Sequence, residues 1–135
     1  MDAVPPRSQK KAFIAEDHAD VRETLTRILE HEGFVVVGTA TTEYAAVDWL
    51  MQNQHGWDLA IIDLLLQEGS GFNVVMQFKR SPHPGKVVVY SGFVTEGVRQ
   101  KCLDFGADAV ISKTDVLQLQ QILDAFRPRG GSTAK

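Results

Sequence analysis

The chain has 135 residues, of which 44% are hydrophobic and 23% are charged, and these values are typical of an ordinary globular protein. This length suits one domain with a sizeable core. The net charge of -3 gives no electrostatic reason to expect nucleic-acid binding by this chain alone. The single cysteine, Cys102, excludes an internal disulfide and a multi-cysteine metal site. Residues 1–11 lack the apolar core of a signal peptide, and no apolar run approaches the roughly 20 residues that span a bilayer, so a cytoplasmic protein is expected.

Short apolar runs and helical periodicities alternate along the chain from Lys11 to Phe126. Five runs have the length and composition of buried strands, at residues 12–15, 34–38, 58–66, 86–90 and 109–111. Amphipathic helices are predicted after each run, beginning at Asp20, after Thr41-Thr42, after 67–71, at Thr95 and at Thr114. They end before Gly33, by His55-Gly56, by Ser81-Pro82, at Phe105 and at Phe126.

Local signals define the ends of the domain and of two helices. Residues 1–10 show no periodicity and are predicted to be a disordered leader, and 127–135 are predicted to be a flexible tail or the start of a linker. The spacing of Asp20 and Glu23 is typical of a capping box, which predicts that Asp20 caps the first helix. The inner face of the second helix is predicted to carry Ala46, Val47, Leu50 and Met51.

Five strands alternating with five helices predict a doubly wound (βα)5 α/β domain with a five-stranded parallel sheet covered on both faces. In such folds ligands bind outside the carboxyl ends of the strands, at the point where the strand order reverses. Polar residues that follow four of the predicted strands are therefore expected to meet in one cleft: Glu16, Asp17, Asp63, Ser91 and Lys113.

Asp63 interrupts the apolar run 58–66, where a carboxylate is costly to bury unless it is paired, liganded or at a strand mouth. The simple alternative to a functional role is that Asp63 only caps the turn that follows the strand. Three carboxylates in one cleft repel, by about 4 kcal/mol for a pair 4 Å apart at an effective dielectric of 20. Mg²⁺ suits such a set because it prefers oxygen ligands, while Lys113 and Ser91 could hold phosphoryl oxygens. The set predicts a phosphoryl-transfer site with Asp63 as nucleophile.

The order of these motifs resembles the receiver domains of response regulators in bacterial two-component signalling, which have a CheY-like, flavodoxin-like fold. The resemblance covers residues 11–126 and rests on Glu16-Asp17, Asp63, Gly69-Ser70-Gly71, Ser91-Gly92 and Lys113. It implies that Asp63 accepts a phosphoryl group from a histidine kinase or histidine phosphotransfer protein, and that Ser91 and Lys113 hold its oxygens. It also implies that Mg²⁺ binds directly to Asp17, Asp63 and the backbone carbonyl of Leu65, and to Glu16 through water. Such a domain is a phosphoacceptor regulator in a phosphorelay rather than an enzyme, although it assists its own phosphorylation and dephosphorylation.

The resemblance further implies a switch, in which Ser91 moves toward the phosphoryl group and an aromatic residue on the fifth strand rotates inward. This reshapes the face of the fourth helix, fifth strand and fifth helix, which contacts a downstream target or output domain and can form a dimer. The chain departs from the pattern at two positions: Val110 occupies the aromatic position, and Thr114 follows Lys113 where proline is frequent. The usual aromatic rotation is therefore excluded, and the Lys113-Thr114 peptide could be cis or trans.

Two further loops bear on the chemistry. Leu65 and Phe93 flank the expected path of attacking water, and because neither can orient water by hydrogen bonding, slow self-dephosphorylation is predicted. His18 follows the acidic pair, where a solvated loop histidine is the simpler interpretation and a metal ligand the alternative.

Three other functions were weighed against these residues. Phosphatases of the haloacid-dehalogenase type carry the motif Asp-x-Asp. Here Leu65 occupies the position of the second aspartate, so the general acid of that class is missing. A flavodoxin-like FMN carrier needs a phosphate loop after the first strand, where Glu16-Asp17-His18 would repel phosphate. A receiver-like scaffold that binds partners without phosphorylation stays open, as does the choice between a stand-alone regulator and part of a longer protein.

Overall fold

The computed structural model describes residues 9–126, so most of the predicted leader and the whole predicted tail lie outside the described residues. Strands and helices alternate without exception within this range. The elements are β1 Lys10–Ala15, α1 Ala19–His31, β2 Phe34–Ala40, α2 Glu43–Gln52, β3 Leu59–Ile62, α3 Gly71–Lys79, β4 Lys86–Ser91, α4 Glu96–Asp104, β5 Ala109–Ser112 and α5 Val116–Phe126.

The five strands form one parallel sheet in the order β2-β1-β3-β4-β5, which confirms the predicted doubly wound architecture. The chain winds from β1 outward to β2, and then returns to β3 on the other side of β1. The winding direction therefore reverses between β1 and β3, and this is where open parallel sheets form their binding crevice. Ala15 pairs with Ile62 at the end of this strand pair, so Glu16 and Asp63 leave the sheet side by side.

Alternating side chains of the sheet contribute to two apolar layers. Phe13 and Ala15 of β1 belong to the layer under α2, α3 and α4, whereas Ala12 and Ile14 belong to the layer under α1 and α5. The ring of Phe13 stacks on Trp49 of α2 and lies 5.1 Å from the ring of Phe78 of α3. Each such buried side chain contributes about 1.5–3 kcal/mol. Both faces of the sheet are therefore covered by helices.

Several local predictions were wrong. His18, rather than Asp20, is the N-cap residue of α1, and the Asp20 carboxylate instead accepts from the backbone N–H of Val21 at 2.9 Å. Met51, predicted on the inner face of α2, is 61% exposed. The buried residues of this helix are Ala46 and Leu50, and the next residue, Met51, is rotated by about 100° around the helix axis and faces solvent. None of the helices in residues 9–126 combines the length and the apolar character that a membrane span requires.

Candidate functional site

Two buried carboxylates lie next to each other at the reversal point of the sheet. Glu16 directly follows β1 and is 1% exposed, and its backbone N–H donates to the carbonyl of Ala40 at 2.9 Å. Asp63 directly follows β3 and is 3% exposed, and its backbone N–H donates to the carbonyl of Ala15 at 2.9 Å. These bonds extend the sheet ladder by one residue on each strand, so the backbone itself fixes where both acids stand. Asp17, the third predicted acid, is half-buried beside them.

Lys113 joins the two buried acids. It directly follows β5, and its Nζ lies 2.8 Å from Glu16 Oε1 and 2.9 Å from Asp63 Oδ2. Burial alone would lower the pKa of Lys113, but the hydrogen bonds and negative charges of Glu16 and Asp63 outweigh it and raise the pKa. The lysine therefore stays protonated and neutralises part of the charge of the cluster.

The second oxygen of Asp63 is held by the loop that follows it. Asp63 Oδ1 accepts from the backbone N–H of Leu65 at 3.2 Å, and Gly71 closes this loop by donating from its N–H to the carbonyl of Leu64 at 3.2 Å. A Cβ atom at Gly71 would lie 2.3 Å from the carbonyl oxygen of Asp63, so only glycine permits the start of α3 to approach so closely. Both carboxylate oxygens of Asp63 thus have defined donors.

Ser91 ends β4 on the other side of the site. Its backbone carbonyl accepts from the N–H of Lys113 at 2.8 Å, which ties the ends of β4 and β5 together. The residue is fully buried, and its hydroxyl has no hydrogen-bond partner among the residues that the structure describes. Buried polar groups nearly always have a partner, so this hydroxyl is available to a bound group.

The side chain of His18 contacts two of the acids at the site. Its Nδ1 lies 3.0 Å from Glu16 Oε2 and 3.0 Å from Asp17 Oδ1, although the side chain is 64% exposed. The hydrogen bond to Glu16, followed by the charges of Asp17 and Glu16, raises the pKa of His18. The His18 side chain is therefore largely exposed to solvent, as expected of a loop histidine, and it also contacts both acids.

Two contacts at the site involve residues that the sequence does not single out. Arg22 belongs to the polar side of α1, yet its Nη1 donates to the backbone carbonyl of Glu16 at 2.8 Å. Tyr90 is a buried residue of β4, and its hydroxyl donates to the backbone carbonyl of Lys113 at 3.5 Å. The only sequence signal for the Arg22 contact is a polar side chain one helical turn beyond the acidic loop. The sequence carries no signal for the Tyr90 contact.

The donor atoms of the acidic cluster suit a small divalent cation. One ligand atom from each of Glu16, Asp17, His18 and Asp63 lies within 4.8 Å of the others. Mg²⁺ takes oxygen ligands at about 2.0–2.1 Å and needs only one or two direct carboxylates, and three carboxylates are present here. The residues therefore fit the predicted Mg²⁺ site in the chemistry of their donors.

The remaining predicted positions surround this cluster. Leu65 and Phe93 are 66% and 65% exposed, so both apolar side chains project into solvent from the loops after β3 and β4. Val110 is buried, and its backbone carbonyl accepts from Arg99 Nη1 at 2.7 Å, so α4 is bonded to β5 at the position where related domains carry an aromatic residue. The Lys113-Thr114 peptide is trans.

Comparisons with known proteins agree with this geometry. The sequence profile of the family described as response regulator receiver domain matches residues 12–126. The transcriptional regulatory protein PdtaR of Mycobacterium tuberculosis is 30% identical over 112 residues, which are 83% of this chain and 52% of that protein. This chain spans about half the length of the curated relatives that match it first.

Two solved structures share the fold at lower sequence identity. The complex of CheX, CheY, BeF3 and Mg²⁺ from Borrelia burgdorferi aligns with a TM-score of 0.76 and 22% identity, covering 90% of this chain and 97% of that one. A response regulator of Burkholderia pseudomallei with a phosphorylated aspartic acid, a calcium ion and citrate aligns with a TM-score of 0.72 and 21% identity, covering 90% and 69%. With the family profile matching nearly all of the described residues, this chain belongs to the response regulator receiver domain family.

Proposed function

We propose that this domain accepts a phosphoryl group on Asp63 from a histidine kinase or histidine phosphotransfer protein. The observation that carries the proposal is the buried Asp63 carboxylate, which is bonded to Lys113 Nζ at 2.9 Å beside two further acids. A structural carboxylate would need one partner, whereas this one belongs to a charged cluster at the crevice of the sheet. Histidine kinases, phosphotransfer proteins and output domains are the partners that the family implies.

The transfer step needs few groups. A carboxylate oxygen of Asp63 forms a new bond to phosphorus while the bond between phosphorus and the donor imidazole nitrogen breaks, and the electron pair of that bond leaves with the imidazole. Lys113 would then hold a phosphoryl oxygen in place of part of its contact with Asp63, and the free hydroxyl of Ser91 would donate to another. Nothing is oxidised or reduced, so positioning and charge neutralisation supply the catalysis.

The proposal includes a Mg²⁺ ion. Asp17, Asp63 and the backbone carbonyl of Leu65 would bind it directly, and Glu16 would bind through a water molecule. When bound, the ion would neutralise the carboxylates and the phosphoryl oxygens that meet at the site. The metal named in the Borrelia complex and the phosphorylated aspartate named in the Burkholderia protein belong to those proteins, and they support the proposal by analogy alone.

The test is intact-mass measurement after incubation with acetyl phosphate and Mg²⁺, on the native chain and on Asp63→Asn. We expect one phosphoryl group on the native chain only, and none when EDTA is present. Metal binding without any addition would contradict the proposal and would favour a receiver-like scaffold that binds partners without phosphorylation. In that case the face of α4, β5 and α5, where Arg99 bonds to Val110, becomes the surface to study.

A phosphorylated domain would act through altered protein contacts and not through turnover of a small substrate. The face of α4, β5 and α5 is the proposed surface for a target, an output domain or a second phosphorylated copy. Because Val110 has no aromatic ring to rotate, and because Arg99 of α4 donates to its backbone carbonyl, a switch in this face would involve the position of α4 against β5. A cytoplasmic location belongs to the same proposal.

A further inference from the structure

His18 adds a nitrogen to a group of three carboxylates that could hold a cation without it. Its Nδ1 lies 3.0 Å from one oxygen of Glu16 and 3.0 Å from one oxygen of Asp17. One ligand atom from each of His18, Glu16, Asp17 and Asp63 lies within 4.8 Å of the others. Three of the four donor groups are oxygens that a hard cation prefers, and the fourth is an aromatic nitrogen. The chemistry of the site is therefore mixed, and this bears on which metal ions it binds.

The spacing of these atoms is that of neighbouring ligands on one ion. In an octahedral site with bonds of about 2.1 Å, adjacent ligand atoms stand about 3.0 Å apart and opposite ones about 4.2 Å apart. The two distances from His18 Nδ1 equal the spacing of adjacent ligands. An ion that Asp17 binds directly could thus also reach His18 Nδ1 with small adjustments of the side chains, while Glu16 contacts the ion through water.

The backbone of His18 is anchored while its ring is accessible. Its N–H donates to Glu16 Oε2 at 3.0 Å, and its carbonyl accepts from the N–H of Arg22 at 3.0 Å at the start of α1. The side chain itself is 64% exposed, so the ring can be reached from solvent. A fixed backbone below a ring that solvent can reach is the arrangement that a metal ligand needs, and a bound ion would replace the proton that Nδ1 shares with Glu16 Oε2.

We infer that His18 Nδ1 is a metal ligand and that it widens the cation preference of this site from Mg²⁺ to imidazole-binding divalent ions such as Mn²⁺, Co²⁺, Ni²⁺ and Zn²⁺. This inference rests on the proposed function, since it concerns the same site. Imidazole binds these ions well, and affinity rises along the series from Mn²⁺ to Ni²⁺, whereas Mg²⁺ gains little from a nitrogen ligand. Removing the imidazole should therefore weaken transition-metal binding and leave Mg²⁺ binding nearly unchanged.

A second pair of histidines must be removed before this can be tested. The rings of His55 and His83 have centroids 4.7 Å apart, and such a pair could hold a transition-metal ion by itself. The starting protein is therefore His55→Ala/His83→Ala, prepared without a histidine tag. His18→Ala is the test variant on this background. His31→Ala is the matched control, because His31 is an exposed histidine at the opposite end of the same helix.

The first measurement is pulsed electron paramagnetic resonance of bound Mn²⁺, which detects a directly bound nitrogen. We expect nitrogen modulation in the background protein and in His31→Ala, and none in His18→Ala. The second measurement is calorimetric titration at constant pH, in which His18→Ala should weaken Ni²⁺ binding roughly tenfold or more. The same substitution should change Mg²⁺ binding less than about threefold.

The failures of the two proposals can be told apart. Stoichiometric Mn²⁺ binding without nitrogen modulation, or equal Ni²⁺ affinity in the background protein and His18→Ala, would overturn the role of His18 while leaving the Asp63 site intact. Absence of binding of any divalent ion, Mg²⁺ included, to the folded background protein would overturn both the role of His18 and the proposed Mg²⁺-dependent function.

Discussion

The charge of Lys113 decides how two buried carboxylates can stand together at the end of the sheet. Glu16 and Asp63 are 1% and 3% exposed, and both have the same ammonium group as their cationic partner at less than 3 Å. Burying a charge is costly unless it is paired, and repulsion between the two acids adds to that cost. Each of the three charges therefore depends on the others, and the removal of one should lower the stability that the remaining two contribute.

We expect Lys113→Met to lower the free energy of unfolding by about 3 kcal/mol, the lower end of the range for a broken buried pair, because the lysine keeps 21% exposure. The same variant should bind Mg²⁺ more tightly, since a competing cation has been removed. Urea unfolding with and without Mg²⁺ measures both effects. Arg27→Met is the control, because its ion pair with Glu23 is exposed and contributes about 0.5 kcal/mol or less.

The pH dependence of this contribution follows from the raised pKa of Lys113. A lysine whose folded-state pKa is raised stabilises the protein fully below its unfolded value of about 10.4, and this stabilisation is lost as pH rises through the folded value. The difference between the native chain and Lys113→Met should therefore show no lysine titration at neutral or mildly alkaline pH. A difference that vanished near neutral pH would contradict the assigned ion pair.

Leu65 bears on the lifetime of the proposed phosphorylated state. Its side chain is 66% exposed beside Asp63 and offers no hydrogen bond to water. Leu65→Asn should shorten the phosphoryl lifetime by about tenfold, because an amide can orient the attacking water. The measurement is loss of the phosphorylated mass over time after removal of acetyl phosphate. Leu117→Asn, at a residue that is 64% exposed on α5, is the control, and an equal lifetime in both variants would refute the role of Leu65.

Among the elements, the loop between β3 and α3 depends on α2 for its position. Glu43 Oε1 accepts from the backbone N–H of Ser70 at 2.7 Å, Glu43 Oε2 accepts from the side chain of Asn73, and the N–H of Glu43 donates to the carbonyl of Glu68 at 2.9 Å. Ser70 in turn is bridged to Leu65, whose N–H is bonded to Asp63. A carboxylate on one helix thus positions the loop that supports Asp63, the proposed phosphoacceptor.

Glu43→Ala should weaken Mg²⁺ binding several-fold, because the carbonyl of Leu65 would no longer be held in place. It should also lower the free energy of unfolding by about 1–3 kcal/mol, since the N–H of Ser70 loses its acceptor. Glu43→Gln keeps one oxygen as an acceptor and should recover most of the metal affinity. Calorimetric titration of the folded variants separates the two effects, and a loss of stability with unchanged Mg²⁺ affinity would limit Glu43 to a structural role.

Sequence periodicity predicted these elements well and their long-range ties poorly. The apolar run 58–66 indicated a buried strand with Asp63 at its end, and β3 ends at Ile62, directly before that residue. The capping role of Asp20 was wrong because the N-cap residue is His18, two residues earlier, which places Asp20 within the first turn of α1. The bond from Arg99 to Val110 was missed, because no local sequence pattern on a helix records a partner on the next strand. Contacts between distant segments depend on packing that a single sequence does not display.

At the scale of the whole molecule, the strand order brings the site together. The rule that parallel strands deliver their functional residues at the carboxyl edge was enough to group Glu16, Asp63 and Lys113 before any coordinates. It did not give distances, and it could not show that Lys113 contacts both acids or that the Ser91 hydroxyl has no partner within residues 9–126. Those facts depend on the side-chain rotamers and the loop paths, which follow from the packed structure.

Because the acids come from two strands of one sheet, an ion bound between them should stabilise the entire fold. A ligand that binds only the native state adds RT ln(1 + [L]/Kd), which is about 1.4 kcal/mol at a Mg²⁺ concentration ten times the Kd. For a domain of this size that is a rise in Tm of about 5 °C. Asp63→Asn should lose most of this rise, and EDTA should remove it from the native chain.

Thermal unfolding followed by circular dichroism measures this shift, with NaCl at matched ionic strength as the control for general screening. A rise in Tm with Mg²⁺ that Asp63→Asn retains in full would place the ion away from this cluster. An equal rise with matched NaCl would show that screening of the three carboxylates is sufficient and that no specific ion joins β1 to β3. A rise that requires both Mg²⁺ and Asp63 would show that the charge which opposes folding at this edge of the sheet is also the charge that recruits the ion.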